Sequence, residues 1–211
     1  MEGYLTVLSP STGEYEEKRS RFIAEIRPVS SEEEAMAFVK EQKQRYWDAR
    51  HNVYAYALVG GDCRFSDDGE PHGTAGKPVL DIINGRALKN VCVVVTRYFG
   101  GVLLGTGGLV RAYSEGAKDA INNAAIAQMG TLNLYKTVCD YVQYNRLLPF
   151  LQNMGAKVTD TVFEADISVY FSLDEAKESE FKEKLKDTFY GRLSAVLEGK
   201  TVSAVKILKN N

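Results

Sequence analysis

The chain has 211 residues, 45% of them apolar and 26% charged, with a formal net charge of −2. That length buries one large core or two small ones, and the slightly acidic balance argues against gripping duplex DNA by bulk charge. Cys63, Cys92 and Cys139 are odd in number and widely spaced, so they read as reduced thiols rather than a disulfide scaffold. No apolar run approaches the ~20 residues needed to span a bilayer. The first residues lack the basic start and apolar core of a signal peptide, so a cytoplasmic location is expected and membrane attachment is not.

Residues 15–28 read as one strand, with Phe22, Ala24 and Ile26 alternating against Arg21, Glu25 and Arg27. Ser30 or Ser31 caps a helix that opens on Glu32, Glu33 and Glu34 and keeps helical spacing to about Tyr46. Residues 52–59 are apolar on both faces, the mark of an interior strand, and Gly60-Gly61-Asp62 turns them into a short strand ending at Phe65. A glycine-rich, charged loop covers 66–77, and Pro78 suits the first position of a helix to about Asn84. The run 91–97 is a buried strand, and a long helix is expected from about Leu109 to Ala125. Beyond it come a strand (131–142), a helix (144–154) stopped by Gly155, two strands (157–162 and 166–172), a helix (174–190) and a strand (201–208). That βαββαβ order is a ferredoxin-like plait. The expected fold is therefore α+β in two domains, 1–127 and 128–211.

The stretch from Val91 to Arg111 carries the strongest chemical signal. A β-branched strand delivers Arg97, Tyr98 and Phe99 to its end, and Gly100, Gly101, Gly105, Gly107 and Gly108 lead on to a helix N-terminus. Bare backbone N–H groups at such an end suit a phosphate-like anion, with Arg97 and Arg111 as clamps. The alternative is that Arg97 ties the strand end to Asp67 or Asp68 and the glycines only turn the chain. Tyr98 and Phe99 either stack on bases at a groove mouth or belong to the core. Gly76-Lys77 is followed by Pro78, which breaks the Walker A pattern, and Val110 breaks the dinucleotide fingerprint, so no cofactor is expected.

Asp67, Asp68, Glu70 and His72 are the densest titratable group in the chain. They read either as an Asp/Gly turn whose carboxylates cap backbone N–H groups and pair with Arg97 or Lys77, or as a second loop of the site together with His51, able to hold a divalent metal through oxygens or to serve in acid–base chemistry, with the turn the favoured reading. With two histidines in all, neither a zinc centre nor a Ser-His-Asp set can be assembled, and no metal is expected.

Three segments also resemble the IMPACT family in its bacterial YigZ-like (UPF0029) branch. They are Arg97-Tyr-Phe-Gly-Gly-x-x-Leu-Gly105, Ser66-Asp-Asp-Gly-Glu-Pro-x-Gly-Thr-Ala-Gly-x-Pro78, and His51-Asn-x-x-Ala55. The resemblance implies a first domain like a small-subunit ribosomal-protein domain and the fourth domain of elongation factor G, and a plait like that factor's fifth domain. It implies a non-enzymatic role in translation or its regulation, through RNA, the ribosome or translation factors. The family's eukaryotic members restrain an amino-acid-starvation kinase through an additional N-terminal domain, so the kinase role is not expected here. Two other readings stand beside it: a hydrolase of a phosphorylated or peptide substrate using the 67–72 loop, and a purely protein-binding module.

Overall fold

The computed structural model describes residues 3–208. They form two compact units, centred on Tyr4–Gln128 and Met129–Val205.

The first unit contains β1 (Tyr4–Val7), β2 (Ser11–Glu17), β3 (Ser20–Pro28), α1 (Glu32–Arg45), β4 (His51–Ala57), β5 (Cys63–Ser66), α2 (Gly76–Gly85), β6 (Val91–Tyr98) and α3 (Gly105–Asn122). Its sheet runs β2-β3-β6-β4-β5, and every pairing is antiparallel. Both faces are covered, which explains why the central strand β6 is apolar throughout. Val91, Val93 and Val95 join the core shared with α2 and α3, including Val79, Ile83, Ala117 and Ile121. Cys92 and Val94 face the other way, into a core with Phe38 and Val39 of α1. Burial on that side pushes the Cys92 thiol up to about 12. Ser31 caps α1 by accepting the Glu34 N–H at 3.3 Å.

The strand expected over 15–28 is two strands. Residues Glu17 and Ser20 are paired across a two-residue turn in which Lys18 (φ 47°) and Arg19 (φ 65°) are both left-handed. This is the backbone that matches hairpin twist, but asparagine and glycine ordinarily signal it, so the pattern hid the turn. Exchanging Lys18→Asn and Arg19→Gly together is expected to raise stability by about 1 kcal/mol, read as a higher denaturant midpoint with an unchanged slope. The four-residue β1 was not anticipated either. Its Leu5 carbonyl accepts from the Lys89 N–H at 2.8 Å, so it is held by the segment before β6.

The second unit contains β7 (Ile126–Cys139), α4 (Tyr141–Met154), β8 (Lys157–Phe163), β9 (Ile167–Asp174), a 3₁₀ turn (Glu175–Lys177), α5 (Glu178–Thr188) and β10 (Ala195–Leu208). The strand neighbours β10-β7-β9-β8 give the plait that the βαββαβ order implied. One core gathers Tyr135, Phe171 and Phe181 with Leu147 and Leu151. Asp140 and Gln143 form a reciprocal capping box at the start of α4, and Gly155 ends that helix at φ 73°. The helix starts at Tyr141 rather than 144 because Asp140 is the cap, and β10 starts at 195 rather than 201, running through Gly199.

Candidate functional site: a cleft at the strand–glycine–helix corner

Register builds the floor of the site. In the β4–β6 pairing, His51 stands opposite Arg97. Arg97 continues the row Val91, Val93, Val95, so its side chain turns toward α3 and is 6% exposed. Its Nη1 donates to Glu70 Oε1 at 2.6 Å, and the Tyr113 hydroxyl of α3 donates to the same oxygen at 2.7 Å. Burial, and then the neighbouring Glu70 carboxylate, push the Tyr113 phenol far up, so it stays protonated and keeps donating. The rings of Phe22 and Phe99 flank the guanidinium, each centroid 5.6 Å from its central carbon. The Arg97 Nε–H remains buried without an acceptor.

The partner of Arg97 is Glu70, where Asp67 or Asp68 was expected. Both aspartates are already engaged. Asp67 Oδ1 accepts from the N–H groups of Ala75 and Gly76 at 3.1 and 2.8 Å, and Oδ2 from Gly73 at 2.8 Å. Those bonds start α2 at Gly76, two residues ahead of Pro78. Asp68 accepts the Asn52 N–H at 2.7 Å and the Lys43 ammonium at 2.6 Å. Asp68 and Gly69 are both left-handed, at φ 45° and 87°, and the reversal carries Glu70 inward. His51 Nδ1 lies 2.8 Å from the Asp68 carbonyl oxygen, which can only accept, so Nδ1 carries the proton. His51 Nε2 then faces Glu70 Oε1 at 3.8 Å, beyond a hydrogen bond.

The glycines divide by task. A Cβ on Gly100 would sit 2.1 Å from the Arg19 carbonyl carbon, so this glycine lets the strand end pass against the β2–β3 turn. Gly101 (φ 85°) and Gly105 (φ 71°) turn the chain. Gly107 meets open space, and at Gly108 a Cβ would touch Leu104 at 3.0 Å. The helix starts at Gly105, a turn before the expected Leu109; glycines of poor helical propensity form its first turn and hide it from the sequence pattern. That first turn has no side-chain cap.

Between this corner and the 69–71 loop lies a cleft of about 460 Å³. Glu70, His51 and Arg97 line it, with Gly105 and Thr106 at the helix start and Leu103, Leu104 and Leu109 as apolar wall. Arg50, exposed at the rim, lies 5.7 Å from the Phe99 ring centroid.

Of the residues singled out from the sequence, the cleft brings together Arg97, His51, Glu70 and Gly105. Gly100 and Gly101 shape the loop without lining it, and Gly107, Gly108 and Arg111 also lie off the lining. Tyr98 donates its hydroxyl to Asp48 at 2.8 Å, Lys77 pairs with Asp81 along α2, and His72 is exposed. Glu115, four residues after Arg111 on α3, pairs with Lys118 at 2.7 Å. Arg50 and Thr106 were missed. Arg50 directly precedes His51, so its position beside the expected site was the available signal. Among the described residues no group of three or more His, Cys, Asp or Glu side chains could hold a metal ion.

The architecture is thus that of a two-domain α+β protein, a β-α domain followed by a ferredoxin-like plait, with a cleft closed on one side by a glycine-rich strand–loop–helix corner. Residues 18–121 match the Impact N-terminal domain, and residues 137–192 match a domain of unknown function, DUF1949. The chain is 37% identical to the IMPACT family member YigZ of Escherichia coli (strain K12), covering 92% of this chain and 97% of that protein. It is 32% identical to the IMPACT family member YvyE of Bacillus subtilis (strain 168), over 94% of this chain and 92% of that one. Protein IMPACT of Mus musculus is 34% identical over 42% of this chain but only 30% of its own length. A solved structure described as the crystal structure of a hypothetical protein superposes with a TM-score of 0.61 at 35% identity, over 94% of this chain and 98% of that one. The chain belongs to the IMPACT family.

Proposed function

We propose that this protein is a non-enzymatic, cytoplasmic binding protein that acts in translation by holding a phosphate of single-stranded RNA in the cleft. One observation carries the reading. A nine-tenths-buried arginine, Arg97, whose Nε–H is buried without an acceptor, lines a cleft that also holds the uncapped start of an 18-residue helix. Helix N-terminal N–H groups favour anions, and Arg50 adds an exposed charge at the rim. The exposed face of Phe99 suits base stacking. A cytoplasmic setting accords with three free thiols. No helix among the described residues is long and apolar enough to cross a membrane. The ribosome and its factors are the partners this reading favours, given the family.

Arg50→Ala tests it without disturbing the buried floor. Loss of one charge-assisted contact is worth about 1.5–3 kcal/mol, so affinity for a labelled single-stranded oligonucleotide should fall roughly ten- to a hundredfold. The salt slope of binding should fall by about one. Fluorescence anisotropy at several ionic strengths reads both. Unchanged binding in this variant, or none in the parent protein, refutes the proposal. Arg111→Ala, off the lining, should have the smaller effect.

A further inference from the structure

We propose that the base held in the cleft is guanine, as a guanine nucleotide or a guanosine of single-stranded RNA. This inference rests on the reading of the helix start as the phosphate site and names what lies at the other end. The floor presents two acceptors and a donor that the fold leaves unused. Glu70 Oε1 takes both protein donors, while Oε2 has no partner among the described residues. With Nδ1–H directed at the Asp68 carbonyl, the neutral imidazole of His51 presents Nε2 as an acceptor on the same side as Glu70, 3.8 Å from its Oε1. Neither Glu70 Oε2 nor His51 Nε2 is among the buried atoms that lack a partner, so both retain access to solvent. Arg97, 95% buried, places its guanidinium beside them, with Nη1 on Glu70 Oε1 and Nε–H without an acceptor.

Two adjacent acceptors call for two adjacent donors. Guanine offers N1–H and the 2-amino group side by side, with O6 next to them to accept from an arginine. Adenine, cytosine and uracil each place an acceptor beside their single donor group on that edge, so one of the two floor acceptors would stay unpaired at a cost. A cationic two-donor group, an ammonium or a guanidinium, is disfavoured because Arg97 already neutralises Glu70 and Arg50 stands at the rim. Phe99, 39% exposed, gives the base a ring to lie against, and the cleft volume of about 460 Å³ falls in the range of small-ligand pockets. Reading of a splayed base by its Watson–Crick edge is the usual route to sequence preference in single-stranded RNA.

The experiment is a calorimetric comparison on the full chain of the 5′-monophosphates of guanosine, inosine, adenosine, cytidine and uridine, together with homopolymeric RNA hexamers. Guanine is expected to be preferred by roughly tenfold or more, the value of one or two hydrogen bonds. Inosine, which lacks the 2-amino donor, should lose most of that margin. Glu70→Gln replaces an acceptor by a donor and should flatten the ranking while phosphate-dependent binding persists. If that variant fails to fold, the inosine comparison on the parent protein still decides. Tight binding of the free monophosphate identifies a nucleotide ligand, and binding of the guanine hexamer alone identifies RNA; either supports guanine recognition. Equal affinity for all bases, or for inosine and guanosine, overturns it and leaves the phosphate site standing. No binding of any of these ligands overturns both.

Discussion

Glu70→Ala is expected to destabilise the protein by about 3–5 kcal/mol, because it strands a buried charge. The Glu70 side chain is 4% exposed, and one of its oxygens serves both the Arg97 guanidinium at 2.6 Å and the Tyr113 hydroxyl at 2.7 Å. Removing the carboxylate leaves Arg97, whose Nε already lacks an acceptor, without any charged partner in the protein interior. The phenol of Tyr113 loses its acceptor too. Glu70→Gln keeps a neutral oxygen in place and should cost less. Replacing both ion-pair members together, Glu70→Leu with Arg97→Met, should recover part of the loss, since no charge is left unpaired and only the Tyr113 hydroxyl remains without its acceptor. Equilibrium denaturation of the three variants measures these differences. A Glu70→Ala loss below about 1 kcal/mol would mean that water reaches the pair freely.

Gly13→Ala is expected to cost about 3 kcal/mol, the upper end for overpacking, although it adds a single methyl. A Cβ there would lie 2.2 Å from the Ala120 nitrogen and 2.6 Å from the Asp119 carbonyl carbon, both helix backbone that cannot rotate aside. The strand cannot easily retreat either. The Glu14 N–H donates to Asp119 Oδ2 at 2.9 Å, and Asn123 Nδ2 donates to the Thr12 carbonyl at 3.0 Å, so the edge strand β2 is stitched to α3 on both sides of the glycine. Gly107→Ala is the contrasting case. Its Cβ meets open space, and alanine favours a helix, so stability should be unchanged or rise by about 0.5–1 kcal/mol. Thermal midpoints of the two variants should therefore move in opposite directions or differ widely. Similar shifts would show that β2 can slide away from α3.

Much of this fold was legible because its signals are periodic. The double-sided burial of β6 reads directly from Val91–Arg97, and the plait reads from the order of its elements. The resemblance carried by the 51–55, 66–78 and 97–105 segments was sound, and each of the three reaches the cleft floor, through His51, Glu70 and Arg97 respectively. What escaped depends on local geometry that periodicity does not encode. Lys18 and Arg19 adopt a turn their side chains do not advertise. Choosing Glu70 over Asp67 as the partner of Arg97 required knowing that three backbone N–H groups occupy Asp67 and that Asp68 reverses the chain. Arg50 lies outside any glycine-rich or acidic cluster, and its one sequence signal, adjacency to His51, gained weight once β4 and β6 were placed side by side.

The register of β6 has a consequence for how the cleft moves. Arg97 belongs to the same row of side chains as Val91, Val93 and Val95, so a slip by one residue would bury Thr96 under α3 and send the arginine toward α1. The floor therefore shares the fate of the central sheet and opens only when the whole unit does. The rim is made of another material: Phe99, Val102 and Leu103 are exposed, the last two between glycines with left-handed backbone at 101 and 105. Its opening involves few buried contacts, so it belongs to the low end of the local stability scale. A ligand of the kind proposed would meet a fixed hydrogen-bonding template behind a yielding doorway, and the doorway would set its residence time.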